Sequence, residues 1–224
     1  TLSPSEGERA GVRGRASIPR FLSIQGGGSG CLSLELEPET AAEDAFGRHL
    51  RQVAKAFVVR RGEGRTIIAG YPWFVDWGRD TLIAARGLLA AGMVEEVQQL
   101  LVTLGRFEED GTLPNTIHGE NASNRDTTDA PLWFGVVCEE LAGRAGAPPT
   151  AASVRRADDS ATCQLPVNEN GRNIADVLRS IAVNYLRGTP NGIRMDAASG
   201  LIWSPAHFTW MDTNFPAGTP REGY

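Results

Sequence analysis

Three stretches of this 224-residue chain join carboxylates or amides to tryptophan, with glycine or proline nearby: AGYPWFVDWGRDT at 69–81, TLPNTIHGENASNRDTTDAPLWF at 112–134 and LIWSPAHFTWMDTNFPAGTPREG at 201–223. Carboxylates, amides and arginine are the groups that bind sugar hydroxyls, and aromatic rings stack on pyranose faces. Hydrolysis of a glycosidic bond further requires one carboxyl group held protonated for the departing oxygen, and a second that activates water or attacks the sugar. Trp73, Trp77, Trp203 and Trp210 fall in loops or at helix starts rather than on helical stripes, so beside acidic residues they read as a wall for sugar faces, with core packing the alternative. The contrasting machineries are missing: there is no GxSxG elbow, P-loop, dinucleotide fingerprint or HExxH. The GGGSG run at 26–30 lacks a following Lys-Ser/Thr and precedes a strand-like segment, so it reads as a turn or linker.

These stretches need a scaffold, and the hydrophobic periodicity between them is helical. Thr40 with Glu43 makes a capping box for a helix to about Val59, whose apolar face is Ala45, Phe46, His49, Leu50, Val53, Ala54 and Phe57. A second helix opens near Asp80 and runs to Ala91, with Gly92 as its stop. A third runs from Met93 to about Phe107, weakened in its last turn by Gly105, and the tight junction makes these two antiparallel neighbours. A fourth starts near Asp129 or Ala130, tolerates Pro131 in its first turn and continues to Arg144. A fifth follows Gly171 and buries Ile174, Val177, Leu178, Ile181, Ala182, Tyr185 and Leu186. Residues 145–169 have no clean period and read as a long connection or insert. Residues 30–37, CLSLELEP, alternate with a period of two and read as a half-buried strand. Strand and helix do not alternate along the chain, which disfavours a doubly wound α/β fold.

Composition narrows the field further. Hydrophobic residues make up 41% and charged residues 22%, which fits a globular chain with a sizeable core. A net charge of -5 gives no electrostatic reason to expect nucleic acid or an anionic membrane as partner. Arg60, Arg61 and Arg65 gather on an expected turn and read as a solvated face. Cys31, Cys138 and Cys163 form no CxxC pair, so a reducing, cytoplasmic setting is the expectation, and His49, His118 and His207 are too scattered to imply a metal site. No apolar run is long enough to span a bilayer, and the missing initiator methionine suggests a processed or excised chain.

The string YPWFVDWGRD from Tyr71 to Asp80 resembles the signature of amylo-α-1,6-glucosidases, the glucosidase part of glycogen-debranching enzymes, and more distantly a loop of glucoamylases. LPNTIHGENASNRDTTDAPLWF resembles that family's second motif and TWMDTNFPAGTPREG its third, in the same order, so the resemblance covers about residues 41–224. It implies an all-α fold, an (α/α)6 toroid with the active site at one end of a double ring of helices. Residues 40–224 would be the N-terminal part of that toroid, and 1–39 a linker or the tail of a preceding β-rich domain. The implied substrate is an α-glucan such as glycogen or limit dextrin, and no metal or organic cofactor is required.

Position by position, the resemblance makes Asp80 the carboxylate that binds the terminal glucose, with helix capping as its alternative. Arg79 would orient that carboxylate or touch the same sugar, and Trp77 would form pocket wall. Asp76 is as readily a residue that holds the loop through backbone hydrogen bonds. Asp129 is either a second pocket residue or a helix cap. Asn115, Asn124 and Arg125 are candidate sugar contacts, although the family often carries an aromatic residue near 124–125, where this chain reads SNRDTTDA. Asp212 is the choice for general acid, with a turn or cap as the plainer role. Trp210 and Met211 beside it, with Phe208 and Phe215 near, would lower the local dielectric and favour the neutral carboxyl form. Arg221 could contact sugar or orient Asp212, and Glu222 lies too near in sequence to be placed across the scissile bond.

In the relatives the catalytic base is a glutamate much further along, and five expected helices fall short of the twelve of a complete toroid. The expectation is therefore an inverting α-1,6-glucosidase whose acid is Asp212 and whose base lies beyond Tyr224. The rivals are another (α/α)6 exo-α-glucosidase, glucoamylase-like or trehalase-like, a non-catalytic glycan-binding fragment, and a purely structural helical protein.

Overall fold

A computed structural model describes residues 44–144, 161–212 and Gly223, all within one compact unit, Glu43–Tyr224. The strand expected at 30–37, the Thr40–Glu43 capping box and most of the 145–169 connection lie outside the described residues. Among those described, five α-helices dominate: α1 Ala45–Phe57, α2 Gly78–Ala90, α3 Val94–Arg106, α4 Asp129–Arg144 and α5 Ile174–Arg187. The remaining regular structure is three two-stranded antiparallel pairs. No described helix is long and apolar enough to cross a membrane.

The first helix starts with Asp44, whose carboxylate accepts the Gly47 amide at 2.6 Å and so satisfies one of the free N–H groups of the first turn. It ends at Phe57 rather than Val59, because β-branched Val58 and Val59 begin a hairpin, β1 Val58–Arg61 with β2 Gly64–Ile67. The hairpin overturns the reading of Arg60, Arg61 and Arg65 as a turn. Arg60 and Arg65 face each other across the two strands, and the turn itself is Gly62-Glu63, with Gly62 at φ 53°. The apolar stripe of α1 forms as its spacing dictates, yet none of its residues is buried.

The second helix begins at Gly78, two residues before the expected start, because Asp76–Trp77 (β3) pairs with Thr116–Ile117 (β4) and hands the chain directly into α2. A Cβ on Gly78 would lie 2.5 Å from the Pro114 carbonyl oxygen, so only glycine lets the helix start touch the second motif. The Gly78 amide donates to the Asn115 carbonyl at 3.0 Å. Helix α2 stops where Gly92, at φ 78°, turns the chain and Met93 N–H reaches back to Leu88. Gly105 lies inside α3 rather than weakening it, since a Cβ there would come within 3.0 Å of Val167 and close to Val177, where α3 meets α5.

Helix α2 packs chiefly on α4 and α3, and α3 also meets α5. The core between them holds Leu82, Leu89, Leu101, Leu104, Phe134, Val137, Leu141 and Ile174. Removing the Phe134 side chain from water stabilises the fold by about 1.5–3 kcal/mol. Helix α5 opens with a capping box between Asn173 and Asp176. Its buried seam is Ile174, Val177, Ile181 and Tyr185, narrower than expected: Ala182 and Leu186 face outward.

Candidate active site

The first motif leaves the hairpin as a short loop closed at its base. Ala69 N–H donates to Val75 at 3.2 Å, and Ile68 bridges Asp76. Tyr71, Trp73 and Phe74 stand exposed on this loop, Trp73 to 82%. Asp76 is buried and paired with Arg61 at 3.0 Å, so its hold on the loop is ionic. Arg61 in turn lies over the Phe107 ring, 5.6 Å from its centre, and donates to the Gly119 carbonyl.

Immediately beyond, the three motifs meet at one guanidinium. Arg79, in the first turn of α2, donates from Nε to Asp129 Oδ2 at 2.6 Å and from Nη1 to Asp212 Oδ2 at 3.5 Å. Its side chain is 9% exposed, and those of Asp129 and Asp212 are 24% and 22% exposed. Burial acts to lower the Arg79 pKa, but the hydrogen bond and charge of Asp129, with the charge of Asp212, outweigh it and hold the pKa above its ordinary value. Asp129 stands at the start of α4, where the free backbone N–H groups favour an anion. The side-chain bond to that end is made by its neighbour: the Thr127 hydroxyl accepts from Ala130 N–H at 3.3 Å and donates to Asp129 Oδ1 at 2.8 Å. Asp129 is thereby left to face Arg79.

The segment that carries Asp212 is tied to the same corner. Thr128 N–H donates to the Phe208 carbonyl at 2.6 Å, the Thr128 and Ser204 hydroxyls are 2.8 Å apart, and Tyr185 Oη donates to the Thr128 carbonyl at 2.7 Å. Ser204 also pairs through its backbone with Gly223. Burial, and secondarily the Asp129 charge, raise the Tyr185 pKa well above its ordinary 10.0. A phenol whose folded pKa is raised contributes stability that is present below the unfolded pKa and is lost as pH climbs toward the folded one. Tyr185→Phe should therefore cost about 1–2 kcal/mol at neutral pH through the unpaired Thr128 carbonyl. Above about pH 10 the same variant should lose stability less steeply than wild type. Urea denaturation across that range tests this, and identical alkaline slopes for the two proteins would refute it.

The remaining candidates are placed differently. Trp77 is half-buried on β3. Asp80 is exposed and lines a groove of about 700 Å³ between α1 and α2 with Phe57, Ala84 and Leu88. Among the described residues no hydrogen bond or ion pair joins it to the Arg79 cluster. Asn115 is buried, its backbone bonded to Gly78 and Asn124. Asn124 is exposed, and its Oδ1 accepts the Asp126 amide at 3.1 Å. Arg125 braces the second motif itself, donating to the Thr112 and Phe107 carbonyls and pairing with Glu109 at 3.0 Å. Trp210 is 72% exposed, so the apolar surround expected of Asp212 is only partly present. Arg221, Glu222 and Phe215 lie outside the described residues.

Arg79 Nη2, Asn115 Oδ1 and His207 Nδ1 are buried without a hydrogen-bond partner among the described residues. Such groups are costly to leave unpaired in a fold. Thr127, Thr128, Ser204 and Tyr185 escaped the sequence reading. Only the Thr-Thr-Asp run signalled the first two, while Tyr185 read simply as part of an apolar face. No group of three or more His, Cys, Asp or Glu among the described residues could hold a metal ion.

Residues 52–224 match the model of a protein family described as amylo-alpha-1,6-glucosidase. No curated protein matches the chain. The family match covers well over half of the sequence and takes in all three motifs that meet at Arg79, and on it the chain belongs to the amylo-α-1,6-glucosidase family.

Proposed function

We propose that this chain carries the acid side of a glycoside hydrolase that removes single α-1,6-linked glucose units from branch points of glycogen or limit dextrin, with Asp212 as general acid. The observation that supports this most directly is the buried Arg79, which gathers Asp129 and Asp212 from the second and third motifs. Asp212 donates its proton to the glycosidic oxygen as the bond to the anomeric carbon breaks. A water on the opposite face of the ring supplies the new hydroxyl, activated by a carboxylate outside the described residues, and the configuration inverts. Arg79 holds the acid, and its Nη2, which has no hydrogen-bond partner among the described residues, is a donor available to a sugar hydroxyl. Trp77, two residues before Arg79, contributes to the hold on the terminal glucose; for Asp80, which lines the groove beside α1, that role rests on the motif resemblance alone. The five helices form part of an (α/α)6 toroid in this reading.

The test is substrate choice and anomeric outcome. Incubated with a singly branched limit dextrin, the intact protein should release free glucose, first seen by NMR as the β anomer, while leaving maltose and trehalose uncut. Release from maltose or trehalose would assign it to a glucoamylase-like or trehalase-like activity instead. Binding of the dextrin without any hydrolysis would make it a glycan-binding module, and an initial α anomer would overturn the inverting mechanism.

A further inference from the structure

Asp212 reaches Arg79 from a segment with almost no regular structure, since β6 (Ile202–Trp203), which pairs with β5 (Arg194–Met195), ends nine residues earlier. What holds that segment to the start of α4 converges on one buried residue, Thr128. Its amide donates to Phe208 at 2.6 Å, its carbonyl accepts from Tyr185 at 2.7 Å, and its hydroxyl lies 2.8 Å from Ser204 Oγ. Ser204 Oγ also lies 3.2 Å from the Pro205 carbonyl, and in the Thr128–Ser204 pair either hydroxyl can be the donor. The next residue, Asp129, holds Arg79 at 2.6 Å. Two adjacent residues therefore set both sides of the Asp212–Arg79 contact, Thr128 through the acid's own segment and Asp129 through the guanidinium.

We propose that Thr128 is a positioning residue for the acid: its hydroxyl and amide fix Ser204–Phe208 so that Asp212 stands at Arg79. This rests on Asp212 being the general acid. A proton donor acts only within hydrogen-bond reach of the oxygen it protonates, and a displacement of about 1 Å from productive geometry can cost on the order of a hundredfold in rate. Thr128 touches no substrate in this role, so its loss should fall on kcat rather than on KM.

The experiment compares Thr128→Val, Thr128→Ser and Ser204→Ala in the intact protein on a singly branched dextrin, with Asp212→Asn alongside. Valine keeps the shape and amide of Thr128 and removes only the hydroxyl. Its kcat should fall about tenfold with KM within about twofold, serine should restore the rate, and Ser204→Ala should match the valine variant. The double variant Thr128→Val/Ser204→Ala should be no slower than either single one, because both remove the same contact. Should Thr128→Val not fold, Ser204→Ala carries the same comparison from the less buried partner. A lowered melting temperature with wild-type kcat in both single variants would overturn the proposal, as would full additivity. If these variants behave so while Asp212→Asn is inactive, positioning alone has failed; if Asp212→Asn is itself near wild type, the acid assignment has failed.

Discussion

Replacing Arg79 with methionine should destabilise the protein by about 2–4 kcal/mol and slow turnover by on the order of a hundredfold or more. Methionine fills most of the space, so the loss is not a cavity effect. It comes from leaving Asp129, roughly three-quarters buried, without its cation and Asp212 without the hydrogen-bond donor it faces. Removing one member of a buried ionic group is much more costly than replacing the whole group, because the survivors keep their desolvation penalty. The remaining exposure of the two carboxylates moderates this, which is why the range starts below the full cost of a buried pair. The reasoning makes a sharper demand on a second variant. Arg79→Met with Asp129→Asn removes one stranded charge and should regain part of the lost stability, whereas two unrelated defects would simply add. Arg79→Lys should fall between, since a single ammonium cannot reproduce the fork that reaches Asp129 from Nε and Asp212 from Nη1. Urea denaturation measures all four proteins. An Arg79→Met variant as stable as wild type would show that the three side chains do not form one unit.

How far these residues were legible beforehand depends on the range of the interaction involved. Helices α2 to α5 follow from local periodicity and from stop and start residues such as Gly92 and Gly171, because those signals act over three or four positions. The hairpin at Val58–Ile67 was hidden by the apolar stripe of α1, which leads into it without interruption. The early start of α2 depends on the pairing of Asp76–Trp77 with Thr116–Ile117, a contact between motifs far apart in sequence. Arg79, Asp129 and Asp212 each stood out by motif, but not their pairing, because it spans 50 and 133 residues. Asp80 was the more prominent of the neighbours in WGRD. The helix carries consecutive side chains to different sides, so Arg79 points to the carboxylates while Asp80 lines the groove beside α1. Thr128 and Tyr185 act through backbone and hydroxyl bonds, which leave no mark in hydrophobic pattern.

Asp212→Asn should abolish nearly all hydrolysis of the branch linkage, by about 10²–10⁴-fold, while leaving affinity for limit dextrin within a few-fold of wild type. Asparagine has the same shape and can still accept from Arg79 Nη1, so the segment held by Ser204 and Thr128 should keep its place. What it lacks is a proton to give to the glycosidic oxygen. The deficit should therefore depend on the leaving group. An alkoxide is a poor leaving group and needs the proton, so the natural branch linkage should suffer in full. A glucosyl donor with an acidic phenol or fluoride as leaving group departs with little help, and the variant should retain much more of the wild-type rate on it. Comparing kcat on the two substrates separates a missing acid from a damaged site, because general damage slows both equally. Equal losses on dextrin and on the activated donor would remove Asp212 from the role of proton donor, and a near-normal rate on dextrin would do so outright.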